Sequence, residues 1–315
     1  MVPAEFLILF SLYVLIAALL LDRLVGDPHL PLHPVSLVGK CIAWWGRPAR
    51  YPPRFQRAAG IFFWCITVFA FAFPFFLFYT FAPWFLLLIG APILLKCCFA
   101  WRSLEDHIMA VVRALERGTE AGRKEVRMLV SRDTSSLSDE HILSAAYESM
   151  TENLTDSITA PLFYYALWGL TGAAVYRAAN TMDAMLGYRD ERERLGWWSA
   201  RTDDVLSFLP ARMSALFLLL YFAVGGRFTP SYRVMRRDGK NRPGFNGGIV
   251  MAAMAGGIGI RFEKPGVYSI GDAERPLGDG GKEIMRAVRA VTVMAAIAAG
   301  GTLILLGSWI NSMGI

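Results

Sequence analysis

The sequence predicts an all-α, polytopic integral membrane protein with five or six transmembrane helices and amphipathic cytoplasmic helices. Of its 315 residues, 55% are hydrophobic and 18% are charged, whereas soluble domains have about 45–50% and about 25%. The mean hydropathy is +0.39. Several apolar runs reach the roughly 20 residues that cross a bilayer, and almost no stretch alternates with the period of two that strands show. These observations exclude a disordered chain and a soluble domain.

Six apolar segments are candidates to cross the membrane. They are residues 2–21, 58–80, 81–101, 160–178, 207–225 and 290–310. The fourth is the weakest, because two glycines and Arg177 interrupt it. If it enters the membrane without crossing, the count falls to five. The apolar run 249–260 has only 12 residues, so we expect it to be buried or re-entrant.

The distribution of basic residues predicts the orientation. The segments 22–57, 102–159 and 226–289 hold 25 of the 32 Lys and Arg residues. Because short cytoplasmic loops are enriched in Lys and Arg, we expect these segments in the cytoplasm and the N-terminus outside. The net charge of +6 suits anionic lipid or a phosphorylated substrate. No basic stripe with interleaved aromatic residues indicates nucleic-acid binding.

Residues 102–159 are expected to form a cytoplasmic helical segment within a single membrane domain, 1–315. A charged amphipathic pattern runs from Arg102 to about Val130 and is broken near Gly118 and Gly122. Ser138 then has the features of an N-cap, since two acidic residues follow it in the first turn of the next predicted helix.

Three carboxylates follow on one face of that helix. Glu148, Glu152 and Asp156 are spaced i, i+4 and i+8, and Asn153 lies beside them. Oxygen ligands at this spacing suit Mg²⁺, which bridges carboxylates to substrate phosphates. The alternative is a solvated helix face, which is the commoner origin of such a pattern. The position of the stripe directly before Pro161 and an apolar segment favours the metal site.

Other polar residues lie at the ends of apolar runs. Asp27 and His33 lie in a turn-rich stretch after the first run, where a capped surface loop is the alternative to a ligand site. Arg132 is a candidate phosphate fork, with a surface contact to Asp133 as the alternative. Asn246 and Lys282 each accompany glycine-rich turns that would let backbone approach a phosphate.

A second group of polar residues follows the fourth apolar segment. Asn180 and Asp183 are spaced i, i+3 and therefore share a helix face. Arg201, Asp203 and Asp204 precede the next apolar run. Ionisable residues at a membrane boundary are costly and are functional candidates by default.

The order and the sequences of these polar segments resemble those of the adenosylcobinamide-phosphate synthase family (CobD/CbiB). The resemblance is carried in order by GDP…HPVSLVGK at 26–40, SRDT at 131–134, ESMTENLTDSITAPLFYYALWG at 148–169, YRAANTMDAMLGYR at 176–189, ARTDDVLSFLPARMSAL at 200–216 and NGGIVMAAMAGGIGIRF at 246–262. It covers nearly the whole chain.

The resemblance implies a multi-pass enzyme of the cell membrane that makes an amide bond in cobalamin biosynthesis. Adenosylcobyric acid would be joined to aminopropanol phosphate or ethanolamine phosphate, with ATP and Mg²⁺ consumed. It leaves open a homo-oligomer or a complex with other membrane enzymes of cobalamin biosynthesis.

The individual roles are our own assignment from residue chemistry, and the resemblance does not give them. Metal binding is assigned to Glu148, Glu152, Asp156 and Asp183. Substrate and phosphate binding is assigned to Asp27, His33, Arg132, Arg201, Asn246 and Lys282. Catalysis is assigned to Asp203, Asp204, Asn153 and Asn180, with an aspartate taking the proton of the ammonium nucleophile.

Two other functions stay open at this stage. A membrane prenyl- or phosphoalcohol-transferase also binds Mg²⁺-pyrophosphate through acidic clusters, but a second regular Asp cluster is missing here. A transporter for a corrinoid or another anion fits the spans and the basic loops. The long polar segments outside the spans disfavour it.

Overall fold

The computed structural model describes residues 4–27 and 33–313, and its secondary structure is 79% helical. The predicted all-α membrane fold class is confirmed. Residues 2 and 3 of the first predicted span lie outside the described residues, as does Pro28 of the first family motif. The elements in chain order are α1 Ala4–Val25, α2 Pro34–Trp45, α3 Gln56–Phe81, α4 Trp84–Lys96, α5 Trp101–Glu116, α6 Thr119–Val126, α7 Asp139–Leu154, a π turn Thr155–Thr159, α8 Ala160–Leu186, α9 Glu193–Leu206, α10 Phe208–Val224, α11 Phe228–Asp238, α12 Gly247–Ile258, β1 Phe262–Lys264, β2 Tyr268–Ile270 and α13 Leu277–Ser312.

Within residues 4–27 and 33–313, five helical stretches are long and apolar enough to cross a membrane. They are Glu5–Val25, Pro53–Phe81, Trp84–Glu116, Asp139–Leu186 and Leu277–Trp309. A sixth results if α9 and α10, which follow each other after a short break, count as one span. The predicted count of five or six therefore agrees with the structure.

The chain divides into two compact units by its internal contacts, and the single membrane domain stays a prediction. The first unit contains residues 1–100, 160–206 and 296–315, and the second contains residues 101–159 and 207–295. The predicted cytoplasmic segment 102–159 lies entirely in the second unit.

Helices of the first unit pack through apolar faces and small residues. α1 contacts α4, and α3 contacts both α8 and α9. A Cβ atom on Gly60 of α3 would lie 2.1 Å from the carbonyl oxygen of Leu195 on α9. Only glycine allows this close approach of the two backbones. Within α8, Trp168 and Gly169 have non-helical backbone angles, so this apolar helix is broken near its middle.

The core of the second unit is α12, the apolar segment that is too short to span a bilayer. Ten of its 12 residues are buried, which confirms the prediction of a buried segment. α10 and α11 pack against it. A Cβ atom on Gly257 would lie 2.2 Å from the ring of Phe222 on α10, so the close packing requires glycine at this position.

Local signals in the polar segment are confirmed. Gly118 has a φ of +132°, and the predicted amphipathic helix is broken there into α5 and α6, whereas Gly122, the other predicted break, lies inside α6. The Ser138 hydroxyl accepts a hydrogen bond from the amide of His141, which caps α7 as predicted. The hairpin of β1 and β2 is antiparallel and has no counterpart in the sequence prediction.

Candidate functional site

Glu148 on α7 is the most enclosed carboxylate of the predicted acidic stripe, with 6% of its surface exposed. Arg132 donates to its Oε2 from Nη2 at 3.1 Å, and the Tyr268 hydroxyl donates to the same oxygen at 2.7 Å. The Ser144 hydroxyl donates to Oε1. Three donors thus fix a buried negative charge, so the solvated-face alternative does not hold for Glu148.

Glu152, one turn later, is paired with Arg242 from the loop before α12. Arg242 also hydrogen-bonds Tyr268, and Tyr268 in turn reaches Glu148. The polar groups therefore form one connected series from Arg132 to Glu152. We call these residues and Asp156 the carboxylate–arginine cluster; its members are Arg132, Ser144, Glu148, Glu152, Asp156, Arg242 and Tyr268.

Electrostatics fix the protonation states of two members of this cluster. Burial tends to lower the pKa of Arg242, but the nearby charges of Glu152 and Asp156 and the contact with Tyr268 raise it above the usual value. Burial, followed by the Glu148 carboxylate, raises the pKa of Tyr268. Arg242 stays charged and Tyr268 stays a proton donor at neutral pH.

Asp156 lies in the π turn rather than in regular α-helix. The i+8 spacing from Glu148 therefore does not place it where an uninterrupted helix would. Buried hydroxyls stabilise this turn: Thr155 donates to Ser214 at 3.0 Å, and Ser214 donates to Thr159 at 2.9 Å. The side chain of Ser214 on α10 thus helps to set the direction of Asp156.

The predicted magnesium ligands are only partly brought together. Among the described residues, no group of three or more His, Cys, Asp or Glu side chains is arranged to hold a metal ion. Glu148 already accepts bonds from three donors, and Asp183 belongs to the first unit. Mg²⁺ is usually held by one or two carboxylates together with substrate phosphates. Glu152 and Asp156, which both act on Arg242, fit that smaller set; the metal assignment itself stays a prediction.

Two other predicted residues of the second unit, Asn153 and Asn246, form side-chain hydrogen bonds, and a third, Lys282, is exposed. Asn153 donates to the Ser149 carbonyl at 2.9 Å and accepts from the Ser157 hydroxyl at 2.9 Å. Asn246 accepts from Arg212 at 2.6 Å. Asn153 thus bonds to the turns of its own helix on either side, whereas Asn246 fixes a guanidinium of α10. Lys282 is exposed in the first turns of α13.

A pocket of about 650 Å³ lies beside Arg132 in the second unit. It is formed by α6 and the SRDT loop, and we call it the basic pocket. Its lining residues are Glu120, Arg123, Lys124, Arg127, Val130, Ser131, Arg132, Asp133, Thr134 and Ser135. Asp133 does not pair with Arg132 as the surface alternative proposed; its carboxylate accepts bonds from the amide and hydroxyl of Ser135.

In the first unit, Asp27 of the GDP…HPV motif contacts Lys96, a lysine that lies near the end of an apolar run in the sequence. Lys96, at the end of α4, is almost fully buried and contacts Asp27 and Asp22. His33 precedes α2, and its pKa is lowered by burial and by Lys96 and Arg177, while Asp27 opposes the shift. His33 is therefore neutral at pH 7. This arrangement is an internal ion-pair network rather than a capped surface loop.

The second group of polar residues, which follows the fourth apolar segment, is also partly brought together within the first unit. Asn180 on α8 donates from Nδ2 to Oδ1 of Asp203 on α9 at 3.3 Å, and Asp203 is buried. Asp204 is half-buried, and Arg201 is exposed. Asp183 is half-buried near the end of α8. A Cβ atom on Gly187 would lie 2.0 Å from its Oδ1, so the carboxylate needs glycine at that position.

Several polar residues of these sites were missed in the sequence. Tyr268 lies on the unpredicted hairpin, and Ser144 gives no local signal. Arg242 lies four residues before Asn246 in the same glycine-rich loop, and that proximity was the available clue. Lys96 was assigned to a span, although a lysine at the end of an apolar run is itself a signal.

The chain is similar to known proteins over most of its length. The family described as "CobD/Cbib protein" matches residues 15–295. The "Probable cobalamin biosynthesis protein CobD" of Methanothermobacter thermautotrophicus is 42% identical over 82% of this chain and 86% of the relative. The "Cobalamin biosynthesis protein CobD" of Dehalococcoides mccartyi is 38% identical over 84% of this chain and 88% of the relative. A relative from Archaeoglobus fulgidus is 38% identical over 90% of this chain and 91% of its own length. No solved structure matches the chain.

Proposed function

The chain belongs to the CobD/CbiB family of cobalamin biosynthesis proteins, and from this premise we propose that it is an ATP-dependent amide-forming ligase. Its substrates would be adenosylcobyric acid and an amino-alcohol phosphate, either aminopropanol phosphate or ethanolamine phosphate. The product would be adenosylcobinamide phosphate. The enzyme would act in the cell membrane, with its basic segments on the cytoplasmic side.

The observation that carries this proposal is the carboxylate–arginine cluster. A carboxylate does not react with an amine until it is activated, and the simplest activation is transfer of the ATP γ-phosphoryl group. Such transfer depends on positioned cations and metal-bridged oxygens rather than on covalent chemistry by the protein. Arg132 and Arg242 are held by Glu148, Glu152 and Tyr268 in a connected network, which provides the rigid cations that this chemistry needs.

The reaction balances in two steps. A carboxylate oxygen of the corrinoid attacks the γ-phosphorus, the bond to ADP breaks, and an acyl phosphate forms. The amine then attacks the acyl carbon, inorganic phosphate leaves with one oxygen of the original carboxylate, and the amine loses a proton. Mg²⁺ would neutralise charge on the transferred phosphoryl group, and we assign it to Glu152 and Asp156. Arg242 stabilises the developing negative charge, and Glu148 positions Arg132.

The proton of the nucleophile needs a carboxylate that is not used for metal binding. Asp203 is buried and contacted by Asn180 within the first unit; its role as the proton acceptor, with Asp204 as the neighbouring candidate, stays a prediction that concerns this unit alone. Asn180 then acts as a positioning residue. An Asn180→Asp substitution would test this. A second carboxylate next to Asp203 disfavours its ionisation, so the acid limb of the pH–rate profile should move to higher pH.

The proposal is tested by product formation in detergent. We would incubate the purified protein with adenosylcobyric acid, ATP, Mg²⁺ and each amino-alcohol phosphate, and detect corrinoids by mass spectrometry. We expect a product whose mass equals the sum of the two substrates minus water. We expect Arg242→Gln to lower its rate about 100- to 1000-fold, the typical cost of removing a group that stabilises transition-state charge.

The control is Arg233→Gln, which removes an exposed arginine from α11 in the same unit. It should retain the wild-type rate. Failure of the wild type to form product with either amino-alcohol phosphate would contradict the proposed reaction. Corrinoid uptake into proteoliposomes without product would favour the transporter instead.

A further inference from the structure

The basic pocket carries more positive than negative charge. Arg123, Lys124, Arg127 and Arg132 line it together with Glu120 and Asp133, so its formal side-chain charge is about +2 at neutral pH. Bonds from the amide and hydroxyl of Ser135 lower the pKa of Asp133, which therefore stays ionised. A phosphate monoester carries about −1.5 to −2 charges at pH 7. The lining therefore has the sign of charge that attracts a phosphate monoester, although Glu148 behind it already pairs with Arg132.

The four cations have different tasks. Arg123 donates from Nε to the carbonyl oxygen of Leu137 at 2.9 Å and pairs with Glu120. Its own carbonyl accepts the Thr134 hydroxyl at 3.1 Å. Arg123 therefore holds α6 against the loop that follows it. Lys124 and Arg127 are exposed, and their i, i+3 spacing at the end of α6 puts them on one face.

Arg132 joins the basic pocket to the carboxylate–arginine cluster. Its side chain is only 12% exposed, and its Nη2 is bonded to Glu148. Its Nη1 is buried and finds no hydrogen-bond partner in the described part of the chain. A buried guanidinium donor without an acceptor is costly, and native structures usually satisfy such groups. Arg132 also lines the pocket, so an anionic oxygen bound there would supply the missing acceptor once the guanidinium turns Nη1 towards it.

We propose that the basic pocket binds the phosphate group of the amino-alcohol phosphate, with Lys124 and Arg127 as its outer ligands and Arg132 Nη1 as its inner ligand. This inference rests on the proposed function and adds the place where the smaller substrate binds. It separates two phosphate sites in the second unit: the pocket holds a monoester that is not cleaved, and the carboxylate–arginine cluster serves the phosphoryl group that is transferred.

The first test measures binding without turnover. Isothermal titration of the purified protein with ethanolamine phosphate, in the absence of ATP and corrinoid, gives the affinity directly. The double variant Lys124→Gln/Arg127→Gln should bind it about tenfold more weakly or worse, as expected for loss of two charged donors. Ethanolamine without phosphate should show no comparable binding to the wild type.

The matched control is Arg113→Gln/Arg117→Gln, which removes the same charge from exposed positions near the end of α5 that do not line the pocket. This control should keep the wild-type affinity. Equal loss in both double variants would mean that only overall charge matters, and would overturn the proposal. Unchanged affinity in the pocket variant would overturn it as well.

Turnover separates this proposal from the proposed function. If the ligase reaction occurs, the pocket variant should raise the KM for the amino-alcohol phosphate about tenfold and leave the KM for ATP unchanged. A raised KM for ATP alone would identify the pocket as the nucleotide site and refute our assignment. If no product forms at all, the proposed function fails, while the titration still decides whether the pocket binds a phosphate monoester.

Discussion

Tyr268→Phe tests whether Glu148 is a buried charge fixed by specific donors. The substitution removes one hydroxyl and leaves the ring, so the hairpin packing is retained. Glu148 then keeps Ser144 and Arg132 as donors but loses the 2.7 Å bond from Tyr268. Arg242 loses its contact with the same hydroxyl but keeps its ion pair with Glu152. Because the pKa of Tyr268 is raised, the hydroxyl stays protonated at neutral pH and is available there as a donor to Glu148.

The magnitude follows from the environment of the carboxylate. A hydrogen bond to a charged group contributes about 1.5–3 kcal/mol. We take the lower end, about 1.5 kcal/mol, because two donors remain on Glu148. For a cooperative unit of roughly 150 residues, this corresponds to a fall of about 3–6 °C in the midpoint of thermal unfolding.

The assay is thermal unfolding in detergent, with Tyr232→Phe as the control. Tyr232 on α11 is 42% exposed and stacks on Phe228, so loss of its hydroxyl should shift the midpoint by less than about 1 °C. If the two variants are equally stable, Tyr268 does not stabilise a buried Glu148 charge, and the donor network around the carboxylate would have to be rejected.

Three further outcomes are expected from the structure. Ser214→Ala should destabilise the protein by about 1–3 kcal/mol, because it leaves the hydroxyls of the π turn without their buried partner; an unchanged unfolding midpoint would contradict this. The neighbouring guanidinium of Arg237 holds the pKa of Asp238 below its usual value. The stabilisation that ionised Asp238 contributes is therefore complete above the unfolded-state pKa of about 3.9, and it is lost as the pH falls through the lower folded-state pKa. Thermal unfolding scans of the wild type and of Asp238→Asn, made from pH 3 to pH 7, should therefore converge only at the acid end. Gly187→Ala should displace the Asp183 carboxylate and lower the unfolding midpoint, whereas Gly301→Ala inside α13, where a Cβ meets no atom within 4 Å, should not lower it.

The sequence predicted those parts of the fold that depend on local composition. The apolar runs became α1, α3 and α13, and the short run near residue 250 became the buried α12. Gly118 and Ser138 marked a helix break and a helix start because their backbone and capping roles are local. Hydrophobic length and capping chemistry need no knowledge of the tertiary structure.

The candidate site was predictable only as a list of polar residues along the chain. Arg242 and Glu152 are 90 positions apart, and Tyr268 and Glu148 are 120 positions apart. Neither pairing produces a local pattern. The spacing rule also assumed regular α-helix as far as Asp156, whereas the π turn begins at Thr155. The turn depends on hydroxyls of α10, which local sequence around Asp156 does not contain.

The division of the chain has a similar origin. Hydropathy identifies which segments are apolar, but it does not say which of them pack together. Residues 160–206 join the first unit although they lie between two segments of the second. This arrangement brings Asn180 to Asp203 and leaves the acidic stripe with Arg132 and Arg242.

The central claim is that ATP activates a corrinoid carboxylate as an acyl phosphate for attack by an amino-alcohol phosphate. The most direct measurement uses adenosylcobyric acid labelled with ¹⁸O in the reacting carboxyl group. The account predicts that one labelled oxygen stays in the amide and the other appears in inorganic phosphate, with ADP as the nucleotide product. Labelled AMP, unlabelled phosphate, or product formed without ATP would contradict it.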